Sequence, residues 1–108
     1  MYLIVTRSFP PELGGMQSLM WGLAQEMSKN FMIKVFADYQ ENHKEFDKNK
    51  NFSIERVGGI KFLRKIRKAQ LINEFLKENK VQGVIADHWK SLELINTDKK
   101  KYCLIHGK

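Results

Sequence analysis

Short apolar runs rich in β-branched residues alternate with longer segments of helical periodicity along this sequence. The runs that we expect to form strands are 2–6, 32–37, 52–57, 81–86 and 102–106. These runs are apolar on both sides, which is typical of parallel strands covered on two faces. Strands that alternate with helices through right-handed crossovers predict an α/β, Rossmann-like three-layer domain with a mostly parallel sheet.

Two longer helices are expected between these strands. Apolar residues recur at helical spacing from Met16 to Met27, which predicts a helix over about 17–29. The second runs from about 60 to about 79, and a shorter helix is expected over 89–95. Residues 40–51 are polar and rich in Lys and Asn, so we expect an exposed connection there.

Length and charge limit the function classes. The chain has 108 residues, which fits one small domain, and its single cysteine, Cys103, excludes an internal disulfide framework. No stretch approaches the roughly 20 apolar residues of a membrane-spanning helix, and we expect a cytoplasmic protein. The formal charge of +7 suits nucleic acid, an anionic membrane or phosphorylated substrates, and equally a merely soluble surface.

The loop after the first predicted strand is a candidate anion site. It contains Pro10 and Pro11, and Gly14 and Gly15 come directly before a helix. A helix N-terminus offers unpaired N–H groups, and glycine lets a diphosphate or carboxylate approach the backbone. The loop has neither the dinucleotide fingerprint nor a phosphate-binding G-K-[ST] sequence. A tight turn into the helix is the alternative interpretation.

The order of motifs resembles a known enzyme family. Phe9-Pro10-Pro11 and Gly14-Gly15-Met16-Gln17 precede an amphipathic Leu-Ala helix, and 84–89 and 104–107 read Val-Ile-Ala-Asp-His-Trp and Leu-Ile-His-Gly. This pattern is similar to the start of retaining glycosyltransferases of family four, which have the GT-B fold. The likeness spans nearly the whole chain. It departs from the family at Gln17, where Glu or His is common, and at 30–32, where a Gly-His or Asn-His pair is usual.

The resemblance implies a glycosyltransferase of the hexosyltransferase type that moves a sugar from a nucleotide-sugar donor to a glycan or lipid-linked acceptor with retention. Residues 1–108 would be an incomplete N-terminal, acceptor-side domain that is inactive without a C-terminal nucleotide-sugar-binding domain. Gly14 and Gly15 would contact the donor diphosphate, and His106 would position the reacting sugar. The donor phosphate would act as the base. Neither a metal nor a cofactor besides the nucleotide-sugar substrate is expected.

Four further residues are acceptor-pocket candidates: Gln17, Asp87, His88 and Trp89. The last three follow a predicted strand, where hydrogen bonds and aromatic stacking suit a sugar. Two structural alternatives remain open at this point. Asp87 would cap the following helix, and Trp89 would belong to the core.

A basic cluster in the first half of the second long helix suggests membrane contact. The candidates are Arg64, Lys65, Arg67 and Lys68. A basic amphipathic helix binds anionic lipid, which would make the protein peripheral on the inner face of the membrane. The alternative is a solvated helix face.

Two other functions compete with sugar transfer. A non-enzymatic basic module would bind nucleic acid or an anionic surface, but the basic residues are scattered and carry no nucleic-acid motif, so no nucleic acid is expected. A nucleotide-sugar epimerase on the same scaffold is the other alternative.

Overall fold

The computed structural model describes residues 1–7, 9–11, 13–41, 43–48, 51–97 and 99–103, without the side chains of 45, 46 and 89. Within these residues lie five strands: β1 (Tyr2–Val5), β2 (Ile33–Asp38), β3 (Ser53–Val57), β4 (Gly83–Ala86) and β5 (Lys100–Cys103). They form one sheet in the order β3-β2-β1-β4-β5, and every neighbouring pair is parallel.

Helices connect the strands. The α-helices are α1 (Gly15–Ser28), α2 (His43–Asp47) and α3 (Lys61–Glu78), and a 3-10 helix spans Trp89–Leu92. Helix α1 joins β1 to β2, and α3 joins β3 to β4 across the sheet. The predicted boundaries of α3 are within one residue of those observed. Helix α1 begins two residues before its predicted start, because Gly14 already accepts a hydrogen bond from the Ser18 backbone N–H, at 3.1 Å.

The sheet separates two hydrophobic cores. Successive side chains of a strand point to opposite faces, so Ile4 of β1 packs in the core that contains Met20 and Ala24 of α1. Leu3 and Val5 belong instead to the core on the other face, which contains Ile72 of α3. Helices therefore cover both faces, which confirms the predicted α/β three-layer, Rossmann-like fold.

Two segments differ from their predicted structure. Residues 40–51, which were predicted to form an exposed connection, contain α2. The helix is held by a contact with the next strand, since its Asp47 pairs with Arg56 of β3 at 2.9 Å. The final strand begins at Lys100 rather than at 102, and its described residues are exposed rather than buried. Its position follows from pairing with β4, in which Gly83 faces Lys100 and Ala86 faces Cys103.

The buried side of α3 predicts how mutations affect stability. Ile72 is buried, whereas Leu63 on the same helix is exposed. Replacing Ile72 by Ala should lower the free energy of unfolding by about 2–5 kcal/mol, because it removes buried methyl groups and leaves a cavity. Leu63→Ala should change it by less than about 0.5 kcal/mol. Urea denaturation measures both, and equal losses would contradict the arrangement of α3.

Candidate functional site

Polar residues lie close together at the carboxyl ends of β1, β2 and β4. They are Thr6, Asp38 and Asp87, which are joined directly or through Lys68. Strand β1 lies between β2 and β4, and the chain leaves β1 toward β2 before it later enters β4 on the other side. The connections therefore diverge between β1 and β4. Ligands of open α/β sheets bind in a crevice at such a point, outside the carboxyl ends of the strands.

The described part of the loop after β1 is anchored in the core on the α1 face. The Phe9 ring is buried and meets Trp21 and Phe52, with centroids 6.2 and 6.4 Å away. Both contacts have the edge-to-face arrangement that aromatic pairs prefer. The carbonyl oxygen of Pro10 accepts a hydrogen bond from the Arg56 guanidinium. The loop is therefore held at two successive residues.

Arg56 is a site residue that the sequence patterns did not single out. Its side chain is only 2% exposed and pairs with Asp47 of α2. It also donates to the main-chain oxygen of Asp38 at 3.3 Å, at the end of β2. A guanidinium presents several donors in a fixed plane, so one buried side chain joins β3, α2, the end of β2 and the Pro10 loop.

The first turn of α1 contains the predicted diphosphate-binding glycines. Gly14 precedes the helix with φ +158° and ψ 170°, and both Gly14 and Gly15 are exposed. No described side chain caps this end, and no acidic residue lies in its first turn. Its backbone N–H groups and the positive end of the helix dipole therefore suit an anion.

Gln17, an acceptor-pocket candidate, lies against Gly14. A Cβ atom added to Gly14 would be 2.3 Å from the Gln17 Oε1 atom. The Gln17 side chain thus occupies the space beside the glycine, and Gly14 has a backbone conformation that is almost confined to glycine.

Asp87 connects the end of β1 to the 3-10 helix, at the point where the connections diverge between β1 and β4. Its Oδ2 atom accepts from the Thr6 hydroxyl at 2.9 Å and from the Arg7 backbone N–H at 3.2 Å. Its Oδ1 atom accepts from the Ser91 hydroxyl at 3.2 Å. These bonds tie the end of β1 to the 3-10 helix after β4, and burial of the carboxylate is compensated by three donors.

His88, rather than Asp87, caps the 3-10 helix. The His88 Nδ1 atom accepts from the Lys90 backbone N–H at 3.2 Å, so the alternative in which Asp87 caps this helix is wrong. A histidine can take this place because its neutral ring has an acceptor nitrogen. Trp89 contributes its backbone to the helix, and its side chain lies outside the described part of the chain. His106 also lies outside the described residues.

Lys68 is buried between α3 and the strand ends. Its Nζ atom lies 2.5 Å from Asp38 Oδ1 and donates to the Thr6 main-chain oxygen at 3.1 Å. The residue is 6% exposed, and this burial lowers the pKa of the Lys68 ammonium, while the nearby charge of Asp38 partly offsets the effect. The prediction of a lipid contact therefore does not fit Lys68.

The other three basic candidates on α3 differ in their surroundings. Arg64 is half-buried, with its Nε atom 3.3 Å from Asp38 Oδ2. Lys65 is more exposed and pairs with Glu93 at 2.5 Å. Arg67 is exposed. Only Lys65 and Arg67 of the four candidates are thus exposed to the solvent.

A cavity of about 380 Å³ lies between the first half of α3 and the strand ends. Its cationic lining residues are Arg7, Lys61, Arg64, Lys65, Lys68 and Lys90. Sequence reasoning identified the basic cluster but interpreted it as an outward-facing surface. The position of this cluster in the sequence could have indicated the cavity. The start of α3 follows the carboxyl end of β3, and ligands of open α/β sheets bind at that end of the strands.

Comparison with known proteins finds no matching family model and no similar curated protein. Within the described part of the chain, no helix is both long and apolar enough to cross a bilayer. The same residues include no group of three or more His, Cys, Asp or Glu side chains placed to hold a metal ion. The expectation that the site works without a metal stays a prediction.

The lowered pKa of Lys68 predicts a pH effect on stability. Between that pKa and the ordinary value of 10.5, the folded state has released a proton that the unfolded state still binds. Stability therefore rises with pH in this window, by up to about 1.4 kcal/mol per pH unit. Urea denaturation from neutral pH to 10.5 should show wild type gaining stability relative to Lys68→Met.

Lys77→Met is the matched control, because Lys77 lies on the same helix and is exposed. Its stability should follow that of wild type at every pH. A constant difference between wild type and Lys68→Met would contradict the lowered pKa.

Proposed function

We propose that this chain is the N-terminal, acceptor-side part of a retaining glycosyltransferase that uses a nucleotide-activated sugar. One observation carries the proposal. The anchored loop after β1 leads to Gly14 and Gly15 at a helix start that no described side chain caps, beside the point where the connections diverge. This arrangement matches the motif order that resembles family four of the glycosyltransferases.

The chemistry assigned to the glycines follows from charge development. Transfer of a sugar from a nucleotide-sugar increases the negative charge on the departing diphosphate. Backbone N–H groups at the start of α1 would stabilise that charge without moving, because Phe9 and Pro10 already hold the preceding loop. The donor phosphate would take the proton of the acceptor hydroxyl, so this chain need not supply a general base.

The remaining site residues have proposed roles on the acceptor side. His106 would position the reacting sugar. Gln17 would contact the acceptor beside Gly14, and His88 and Trp89 would line the acceptor pocket after β4. Asp87 would hold the surrounding backbone in place rather than contact the acceptor, since three donors already occupy its carboxylate. Most of the nucleotide-sugar would be bound by a second domain.

Nucleoside diphosphate binding at α1 tests the proposal. The chain, labelled with ¹⁵N, is titrated with UDP, GDP and ADP, and separately with the three nucleosides. We expect a diphosphate, but not its nucleoside, to shift the amide signals of Gly15, Met16 and Gln17. Gly14→Ala should weaken this binding about tenfold or more, because a side chain strains this backbone and displaces Gln17.

Gly22→Ala is the matched control on the same helix. No atom lies within 4 Å of a Cβ added there, so the substitution should leave binding unchanged. It should raise the free energy of unfolding by about 0.5–1 kcal/mol, since alanine is the better helix former. If no diphosphate shifts the α1 amides, or if both variants bind alike, the proposed donor contact is wrong.

We also propose that the start of α3 contacts an anionic membrane. Large apolar side chains are exposed there, with Ile60 69%, Phe62 70% and Leu63 56% accessible. Exposed Lys61 and Arg67 accompany them. Apolar side chains next to cations suit the interface of an anionic bilayer, where each cation adds about 1 kcal/mol. The proposed lipid contact thus includes these exposed apolar residues. It excludes Lys68, which is buried.

Vesicle co-sedimentation tests this contact. The double variant Ile60→Ser, Leu63→Ser should bind phosphatidylglycerol vesicles at least about tenfold more weakly than wild type, because it removes two exposed apolar groups. Met32→Ser is the control, since Met32 is exposed just before the amino end of β2, whereas α3 follows the carboxyl end of the parallel strand β3. Binding that survives the double variant, or that falls equally in the control, would refute the contact.

A further inference from the structure

The cavity beside α3 is separate from the glycines of α1. It lies on the sheet face that α3 covers, and Val5, Ala69 and Ile72 contribute apolar walls. Gly14 and Gly15 begin the helix on the opposite face. The two features thus offer two distinct places for ligands at the same end of the sheet.

Charge around the cavity is strongly unbalanced. Six of its lining side chains are cationic, and Asp38 is the one carboxylate among the described lining residues. That carboxylate already contacts Lys68 and Arg64. Arg7 and Lys61 make no ion pair within the described part of the chain. A concave surface lined by one sign of charge concentrates ions of the opposite sign.

Burial of Lys68 adds a reason for an anion to bind here. The ammonium has lost most of its water and has one carboxylate and one carbonyl oxygen as compensation. An anion in the cavity would restore favourable interactions to this cation and to its neighbour Arg64. Binding would then favour the charged form of Lys68 and raise its pKa.

Size and apolar walls limit the rest of the ligand. About 380 Å³ lies at the small end of the range for small-molecule sites. Phe62 and Leu94 line the cavity together with the apolar wall residues. The ligand therefore has a compact body with limited polarity and an anionic group that can meet several cations at once.

We propose that this cavity binds the phosphate group of a phosphate monoester, with Arg7 and Lys61 as its free cationic contacts. A phosphate has three acceptor oxygens and up to two negative charges, and so matches several separate cations better than one carboxylate does. The site does not depend on sugar transfer. The phosphate is carried either by a soluble small molecule or by a lipid headgroup, which share the same chemistry.

Phosphate-dependent stability and NMR titration test the site. The chain is titrated with glycerol 3-phosphate, and separately with phosphatidic acid vesicles against phosphatidylglycerol vesicles, which are anionic but carry no phosphate monoester. Ionic strength is kept constant with chloride. We expect glycerol 3-phosphate to raise the melting temperature and to shift signals of Arg7, Lys61 and Lys68. The double variant Arg7→Gln, Lys61→Gln should weaken binding at least about tenfold, because two charged contacts are lost.

The control removes the same charge elsewhere. Lys44→Gln, Lys77→Gln also loses two cations from exposed positions, neither of which lines this cavity. It should bind glycerol 3-phosphate as wild type does. Binding of phosphatidic acid alone, with the same sensitivity to Arg7→Gln, Lys61→Gln, identifies the lipid headgroup as the source.

Three results would overturn the proposal. The first is that neither probe binds beyond the chloride control. In the second, the cavity variant binds as wild type does. In the third, the two double variants weaken binding equally, which reflects net charge. The outcome is independent of the donor test, since Gly14→Ala and Arg7→Gln, Lys61→Gln alter opposite faces of the sheet.

Discussion

A buried ammonium group connects the helix layer to the sheet at its carboxyl end. Lys68 of α3 reaches the Asp38 carboxylate at the end of β2 and the Thr6 carbonyl after β1. Removing a cation from water is unfavourable by several kcal/mol, so it persists only with such compensation. Because Lys68 needs these oxygen partners, the basic first half of α3 lies over the carboxyl ends of the strands. The cationic cavity and the position of α3 thus have the same origin.

A second buried cation has the corresponding role near the loop after β1. Arg56 joins Asp47 to the main-chain oxygens of Asp38 and Pro10, while Phe9 fills the core beside it. Both cations meet at Asp38, one through its carboxylate and the other through its carbonyl oxygen. The end of β2 therefore links the loop that precedes α1 to the helix on the other face.

Regular periodicity predicted the parallel three-layer fold and α3, because buried strands and amphipathic helices leave local patterns. Other features depend on contacts with other elements, which local periodicity does not show. Helix α2 is short and relies on the Asp47–Arg56 pair, and β5 takes its position from β4. Lys68 looked like a surface residue because lysine is rarely buried without a partner, and Asp38 is 30 positions away. The position of Gly14 and Gly15 at the start of a helix was predicted, whereas the cavity was not.

The anchored loop before α1 would connect folding to the proposed anion binding. Ordering a flexible loop upon binding would reduce affinity through lost conformational entropy. Here Phe9 and Pro10 are fixed by the core and by Arg56 before any ligand arrives, so that entropy is lost during folding instead. An anion at the start of α1 would therefore approach a loop in which Phe9 and Pro10 are already ordered. Association would need no slow rearrangement of these residues, and loosening the loop would reduce affinity even if every ligand contact remained.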